Sequence, residues 1–380
     1  MSNNYCKQNT QINKSYCCSY YNSSIENNNN SEITNFGYDA IGLEISGKCN
    51  FQCKYCVIGL RPDDTKIMSF DKIIKILEYI KNMGGEKLNG IFLNVYGEPM
   101  LHPNLFEIIE YMRYNGLISR LITNGSMLHN ENRKKLIKNT PDFMNISIES
   151  LNSMYFNEIK GTEINYDLYI NNIIELIKEI YYQPNNILKM LRLDLMYVTQ
   201  FELKKISGAL TNDKWINMIY HKNDTLYKDV LNFLEIIQTK IPELEIDKAR
   251  LKNNIDRVIK NRFTNDDILY YINKSIIISI KEYLPLVYYD RKNIVNNDAR
   301  CPRSALVIFS DGNVSLCCLD FCEEIVVGNI FYDEFKEILI KSRLVSKELS
   351  YNCSKYNICR QCRNYFTRGE KLLRKSNILK

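Results

Sequence analysis

Residues 40–56 read Ala-Ile-Gly-Leu-Glu-Ile-Ser-Gly-Lys-Cys-Asn-Phe-Gln-Cys-Lys-Tyr-Cys. The largely apolar residues 40–46 predict a strand, and the loop that follows directly carries Cys49, Cys53 and Cys56 in the spacing C-x3-C-x2-C. Three thiolates on one short loop can hold three irons of a cubane [4Fe–4S] cluster, which ordinarily has four cysteine ligands. The fourth iron then keeps an open coordination position, at which a ligand can bind and react.

A zinc knuckle or a set of buried free thiols would also explain these cysteines. A structural zinc ion takes four protein ligands. The nearest downstream histidine is His102, and no fourth Cys or His lies close to the loop in sequence. The spacing therefore favours a cluster over zinc.

The composition indicates a globular protein of a reducing compartment. The chain has 380 residues, of which 45% are hydrophobic, enough for a large domain and a smaller one. Its 13 cysteines and the lack of an apolar signal at the start favour metal ligation over disulfides, so we expect a cytoplasmic protein. No run reaches the roughly 18 apolar residues of a membrane helix. The net charge of +6 comes from intermixed Lys and Glu, so we expect neither a membrane nor a nucleic-acid partner.

Strand and helix patterns alternate beyond the cysteine loop. After 40–46, the predicted strands are 90–95, 118–123, 143–148 and 190–198, and helices are predicted at 103–115, 131–138 and 167–182. Such alternation predicts βαβ units with a parallel sheet, which right-handed crossovers curl toward a barrel. Functional residues of these barrels lie at the carboxyl ends of strands, where the cysteine loop also lies.

Polar motifs follow the next three strands. Tyr96-Gly97-Glu98-Pro99 follows the second strand and Thr123-Asn124-Gly125 the third, and ordinary turn chemistry can explain both. The fourth strand ends in Ile146-Ser147-Ile148-Glu149, where Ser147 and Glu149 are expected to alternate onto one side.

Together with these motifs, the cysteine loop, with Tyr55 before its last cysteine, resembles that of the radical S-adenosylmethionine (SAM) enzymes. The resemblance implies an α/β fold, a partial (βα)6 barrel. It implies that the open iron chelates SAM, which the reduced cluster cleaves to methionine and a 5′-deoxyadenosyl radical that abstracts a substrate hydrogen. Cys49, Cys53 and Cys56 would be the catalytic cluster ligands, and an electron donor such as flavodoxin or ferredoxin is implied.

The resemblance also implies contacts to SAM. Gly97-Glu98-Pro99 matches the family's Gly-Gly-Glu-Pro motif except that Tyr96 replaces the first Gly, and Glu98 would contact the methionine amino group. Ser147 and Glu149 match its Ile-Ser-Ile-Asp pattern, with Glu in place of Asp, and would contact the carboxylate and ribose. The expected cofactor-binding residues are Tyr55, Gly97, Glu98, Pro99, Asn124, Ser147 and Glu149. Further candidates to hold a carboxylate are Lys160, in a Lys160-Gly161 pair where relatives often carry Arg-Gly, and Arg192.

A second set of cysteines lies near the end of the chain. Cys301 precedes an alternating run, and Asp311-Gly312 predicts a hairpin turn whose returning strand, 314–316, ends at Cys317. A helix is predicted at 331–341, and Cys359 and Cys362 form a C-x2-C pair. Four thiolates brought together in this way can close either a [4Fe–4S] cluster or a zinc site.

This arrangement resembles the SPASM or twitch extension of radical SAM enzymes, which binds auxiliary clusters. The full SPASM pattern has more cysteines after the C-x2-C pair, and none follows Cys362. We therefore expect one auxiliary [4Fe–4S] cluster on Cys301, Cys317, Cys359 and Cys362. Cys318, Cys322 and Cys353 are then spare, and Cys353 is the substitute if this set is wrong.

Four regions are expected along the chain. They are a disordered leader at 1–36, the radical SAM core barrel at 37–210, a helical insertion with the last barrel strand (276–280) at 211–297, and the auxiliary cluster domain at 298–370. We expect a two-electron oxidation or maturation of a peptide or protein, because the insertion offers extra surface. The alternatives are a small-molecule alcohol dehydrogenase of the same family and a non-enzymatic zinc-binding module. No pattern identifies a catalytic base among His102, His129 and His221.

Overall fold

The computed structural model describes residues 38, 40–56, 58, 66–183, 187–198, 218–260, 267–282, 306–318, 320–352, 355–356 and 359. The predicted leader at 1–36 and the cysteines Cys301, Cys353 and Cys362 lie outside these residues. No helix in the described ranges is both long and apolar enough to cross a membrane.

The strands and helices alternate over most of the described chain. The strands are β1 (Ala40–Leu43), β2 (Gly90–Phe92), β3 (Ser119–Thr123), β4 (Phe143–Glu149), β5 (Met190–Tyr197), β6 (Ile268–Tyr271), β7 (Ile276–Glu282), β8 (Leu306–Ile308), β9 (Asn313–Ser315) and β10 (Val326–Asn329). The helices are α1 (Phe70–Asn82), α2 (Leu105–Tyr114), α3 (Asn130–Lys138), α4 (Ser153–Lys160), α5 (Tyr166–Tyr181), α6 (Asn223–Lys240), α7 (Lys248–Lys260) and α8 (Phe335–Tyr351). Short 3-10 turns cover Gly85–Lys87 and Pro99–Leu101.

All described strands belong to one sheet, in the order β10-β9-β8-β1-β2-β3-β4-β5-β7-β6. The run from β8 to β7 is parallel, whereas β6, β9 and β10 pair antiparallel at the two edges. The predicted α/β class with a parallel sheet is confirmed, as is the hairpin at Asp311-Gly312, which joins β8 to β9.

The burial pattern of these strands is that of a parallel sheet covered on both faces. β1, β2 and β8 are buried along their whole length, as expected where both faces of a sheet are covered. The helices contribute one apolar stripe each. In α5 the buried isoleucines recur at helical spacing: Ile170, Ile173, Ile174, Ile177 and Ile180.

The structure departs from the sequence expectations at several elements. The helix expected at 331–341 begins at Phe335 and continues to Tyr351, because a tight turn precedes it. In that turn Asn329 N donates to Asp333 at 2.7 Å, and Asn329 Oδ1 accepts from Phe331 N at 2.9 Å. The helix α4 and the edge strands β6 and β10 were not predicted.

Glu44, just after β1, connects the barrel to the C-terminal strands. Its fully buried carboxylate accepts hydrogen bonds from Tyr96 N at 3.1 Å, from Ser310 N at 3.2 Å and from Ser310 Oγ at 3.0 Å. Because β8 pairs directly with β1, the described C-terminal strands extend the barrel's sheet.

Candidate functional site

The loops at the carboxyl ends of β1 and β3 meet, as the sequence predicted. Asn124 Nδ2 donates to Asn50 Oδ1 at 2.9 Å and lies 3.7 Å from Cys49 Sγ. Asn50 Nδ2 in turn donates to Ser126 Oγ at 2.8 Å. The cysteine loop is therefore fixed to the Thr-Asn-Gly turn by side-chain amides, and Asn124 reaches a predicted ligand sulfur.

Gly97 lets the turn after β2 pack directly on the chain that leads into Cys49. A Cβ at this position would lie 1.9 Å from Ser46 O and 2.8 Å from Lys48 O, so no other residue fits without displacing backbone. The adjacent Glu98 N donates to Lys48 O at 2.7 Å.

The carboxylate of Glu98 connects the turn after β2 to the turn after β3 through hydrogen bonds. It is buried and accepts from Met100 N at 3.0 Å, Thr123 Oγ1 at 2.7 Å and Asn124 N at 2.7 Å. Burial raises the pKa of Glu98, and these hydrogen bonds oppose the rise. An ionised carboxylate has about four acceptor positions. Three of these acceptor positions are used within the protein. The contact of Glu98 to a methionine amino group therefore stays a prediction, and it would use the fourth position.

The cysteine loop is held from its other side by the end of α4. Lys54 N donates to Ile159 O at 2.9 Å, and Gln52 N donates to Gly161 O at 3.3 Å. Gly161 has φ +56°, and a Cβ there would lie 2.1 Å from Gln52 O. The Gly of the Lys-Gly pair is thus explained by positive φ and by close approach to the cysteine loop.

Gly161→Ala is expected to cost more stability than Gly116→Ala and to reduce iron incorporation by the cysteine loop. Both glycines follow helices with positive φ, so both variants incur about 1 kcal/mol of backbone strain. Only Gly161 meets a neighbour, since a Cβ at Gly116 has nothing within 4 Å. Overpacking adds about 1–3 kcal/mol at Gly161. Denaturant unfolding and iron assays on both variants check this, and equal behaviour would contradict it.

Glu149 ends β4 in an unusual conformation. Its φ is +70°, and the pairing of β4 with β5 is irregular between Ser147 and Glu149. The regular alternation that would put these two side chains on one side is therefore broken here. Glu149 is buried, and its Oε2 has no hydrogen-bond partner among the described residues. An unpartnered buried acceptor at a strand end fits a ligand donor, such as the ribose hydroxyl that the resemblance implies.

Glu149→Gln should change the pH dependence of stability of the metal-free protein. Burial, and secondarily Asp194, raise the pKa of Glu149 from 4.5 to about 7, against the opposing effect of Lys160. Because the pKa of Glu149 is higher in the folded than in the unfolded chain, this residue contributes stability that is fully present below pH 4.5. That contribution is lost as pH rises toward 7. The parent should lose about 1.4 kcal/mol per pH unit relative to Glu149→Gln across this window. Urea unfolding of both proteins measures the difference, and a difference independent of pH would contradict the assignment.

The three thiols are partly buried, and in the metal-free state Cys49 and Cys53 stay protonated. Burial and the charge of Glu98 raise the pKa of Cys49 to about 12, and burial raises that of Cys53 while Lys160 opposes it. Metal coordination releases such protons. Within the described ranges no three His, Cys, Asp or Glu side chains converge on the position of one metal ion. The thiolates that hold a cubane each bind a different iron, so they need not converge on one position. The donor set fits the cluster.

A second polar group lies on the inner strands β4, β5 and β7, and the sequence did not single it out. Fully buried Asp194 accepts from Asn145 Nδ2 at 3.0 Å, from Ser279 Oγ, and from Lys281 Nζ at 3.2 Å. Arg192, a candidate for the SAM carboxylate, instead pairs with Asp267 and lies 3.6 Å from Asp194. The sequence contains a signal for this buried polar group, because charged residues at 192, 194 and 281 interrupt apolar strands.

Two of the three histidines, His102 and His221, have identifiable side-chain contacts. His102 is buried, with Nε2 2.7 Å from Met68 O and Nδ1 accepting from Asn104 N at 3.1 Å. Both ring nitrogens are therefore engaged. His129 precedes the first turn of α3, and His221 Nδ1 lies 2.9 Å from Ile219 O.

The described residues include half of the expected auxiliary ligands. Cys317 is partly buried and Cys359 buried, and both pack on the main core. Cys318 belongs to a separate apolar group with Val307 and Phe309. The loop after Cys317 is fixed by buried Asp320, which accepts from Ser315 Oγ at 2.8 Å and from Ile325 N at 2.8 Å. The set Cys301, Cys317, Cys359 and Cys362 stays a prediction.

Two family models match the chain. The radical SAM superfamily model matches residues 43–188, and the model of an iron–sulfur cluster-binding domain, SPASM, matches residues 300–363.

Individual relatives are distant. A tungsten-containing aldehyde ferredoxin oxidoreductase cofactor-modifying protein of Pyrococcus furiosus is 28% identical over 29% of this chain and 30% of its own length. The subtilosin biosynthesis protein AlbA of Bacillus subtilis is 22% identical over 80% of this chain and 60% of its own. The chain thus spans less than two thirds of these two relatives. Among solved structures, Streptococcus suis SuiB bound to SAM aligns with a TM-score of 0.49 and 14% identity, over 85% of this chain and 72% of SuiB.

Proposed function

Since this chain belongs to the radical SAM superfamily and carries a SPASM domain after its barrel, we propose that it cleaves SAM reductively and abstracts a hydrogen from its substrate. The superfamily is enzymatic, and the two domains are cluster-binding. When bound on Cys49, Cys53 and Cys56, the [4Fe–4S] cluster supplies the electron that cleaves SAM. The observation that carries the proposal is the convergence of this three-thiol loop with the turns after β2 and β3 at one edge of the sheet.

The residues around the loop have separate tasks in this proposal. Asn124 holds the loop through Asn50 and reaches the Cys49 sulfur. Glu98 fixes the turns on which a bound SAM would rest. The free oxygen of Glu149 accepts a hydrogen bond from the ribose, and its burial keeps water away from that contact.

For the substrate we propose a peptide or protein that undergoes a two-electron oxidation or maturation. AlbA, which matches 80% of this chain, is named for the biosynthesis of the bacteriocin subtilosin. A small alcohol is the competing substrate class within the same reaction type. Cys301 and Cys362 would complete the auxiliary cluster with Cys317 and Cys359.

Anaerobic reconstitution followed by addition of SAM and a reductant tests the enzyme proposal. About 8 irons per chain are expected for two cubane clusters, with formation of 5′-deoxyadenosine. Zinc in place of iron, or a fully iron-loaded protein that leaves SAM intact, would support the zinc-binding module instead.

The substrate class needs a separate assay. Peptides encoded beside the gene and a panel of small alcohols are each incubated with the loaded enzyme, and mass spectrometry detects loss of two hydrogens. Oxidation of a peptide supports the proposal. Oxidation confined to the alcohols would overturn it and favour the dehydrogenase alternative.

A further inference from the structure

Lys160 has an unusual position for a lysine. At the end of α4 it is only 1% exposed, and its Nζ donates to Tyr55 Oη at 3.1 Å and to the carbonyl of Ser147. The same ammonium lies 6.0 Å from the Phe51 ring centre and 5.8 Å from that of Tyr55. Within the described residues, no carboxylate forms a salt bridge with it. A buried cation is costly unless a negative charge lies close by.

The cysteine loop can supply that negative charge. The Tyr55 hydroxyl, which accepts from Lys160, is also hydrogen-bonded to Cys53. Glu149 is also hydrogen-bonded to this hydroxyl, and the charge of Lys160 acts on both Glu149 and Glu98. Thiolate ligands give a cubane cluster net negative charge, so loading of the loop would place an anion next to this cation.

The carboxyl end of α4 faces the cysteine loop. Its last carbonyls point at the cysteine loop, since Ile159 O and Gly161 O accept from loop amides. The carboxyl end of a helix carries partial negative charge, which disfavours an added electron nearby. The ammonium of Lys160, in the last turn of α4, offsets that charge.

We infer that Lys160, acting through the Tyr55 hydroxyl on Cys53, raises the reduction potential of the cluster held by the 49–56 loop. The inference rests on the proposed function, because it requires a cluster on these cysteines. Reduction adds negative charge, so a fixed buried cation favours the reduced form, and water screens it little. Hydrogen bonds to the sulfurs act in the same direction. Lys160 is thus a positioning residue whose effect is electrostatic.

The test compares Lys160→Met, Lys160→Arg and Tyr55→Phe in the full-length, iron-loaded protein. Midpoint potentials are read by electron paramagnetic resonance from the signal that is absent in Cys53→Ala, which separates this cluster from the auxiliary one. Lys160→Met should lower the reduction equilibrium constant at least tenfold, equal to 59 mV for one electron. Lys160→Arg keeps the charge and should stay within threefold of the parent. Tyr55→Phe should shift the potential in the same direction as Lys160→Met, but less.

The outcomes distinguish the inference from the proposed function. If Lys160→Met loads iron and its cluster has the same midpoint potential as the parent, the inference is overturned. If Lys160→Met fails to load iron, an unchanged midpoint potential in Tyr55→Phe overturns it instead. A purely structural role would lower iron content or stability and leave the potential unchanged. A parent protein without a Cys53-dependent signal would overturn the proposed function and the inference together.

Discussion

Cys53→Ala is expected to abolish formation of 5′-deoxyadenosine and to reduce bound iron from about 8 to about 4 per chain. The three thiolates of the loop are the only protein ligands that this cluster is expected to have, and two cannot retain it. Cys53 also contacts the Tyr55 hydroxyl, so its loss disturbs the buried side of the loop as well. Iron analysis and chromatography of the SAM products measure both effects.

Cys318→Ala is the matched control for this experiment. Cys318 is also buried, but it packs with Val307 and Phe309 and belongs to neither predicted ligand set. This variant should keep SAM cleavage and the iron content of the parent. Cleavage that persists in Cys53→Ala would show that the loop does not hold the reactive cluster.

Asp194→Ala is expected to lower the free energy of unfolding by about 3–5 kcal/mol, because it removes one member of a buried ion pair with Lys281. Asp194 is fully buried between Lys281 and Arg192, and it also accepts from Asn145 and Ser279. Removal therefore takes a buried acceptor from Lys281, Asn145 and Ser279, whereas Arg192 keeps its ion pair with Asp267. Urea unfolding of the metal-free protein measures the change.

The ion pair between Glu235 and Lys248 supplies the comparison. Its atoms lie 2.8 Å apart, but both side chains are about half exposed, at 46% and 58%. Glu235→Ala should cost no more than about 1 kcal/mol, because solvent screens exposed pairs. Similar losses in Asp194→Ala and Glu235→Ala would contradict the assigned role of the interior cluster.

The sequence predicted those parts of the fold that depend on local patterns. The alternation of apolar strands with amphipathic helices was enough to predict β1 to β5 and β7, and Asp311-Gly312 was enough for the β8–β9 hairpin. The edge strands β6 and β10 are four residues each and exist because a neighbour completes their hydrogen bonds. Local sequence carries little signal for such strands, since their pairing is decided by tertiary structure.

In the candidate site, too, local patterns predicted some residues and tertiary contacts decided the rest. Motif and spacing identified Cys49, Glu98 and Asn124, which the structure brings together at one edge. Sequence patterns did not predict the hydrogen bonds of Glu98, the burial of Lys160 or the polar group around Asp194. Each depends on residues that are far apart in the chain. Glu149 also shows the limit of strand periodicity, because an irregular pairing with positive φ breaks the alternation assumed for β4.

The pairing of β1 with β8 has a consequence for how the protein is made. Glu44 and Ser310, which are hydrogen-bonded, lie 266 positions apart in sequence. At about 5–20 residues per second, a ribosome needs on the order of tens of seconds to synthesise the intervening chain. Throughout that time the nascent β1 has an open edge beside the cysteine loop. We therefore expect the emerging chain to depend on chaperones, and iron loading to follow release from the ribosome.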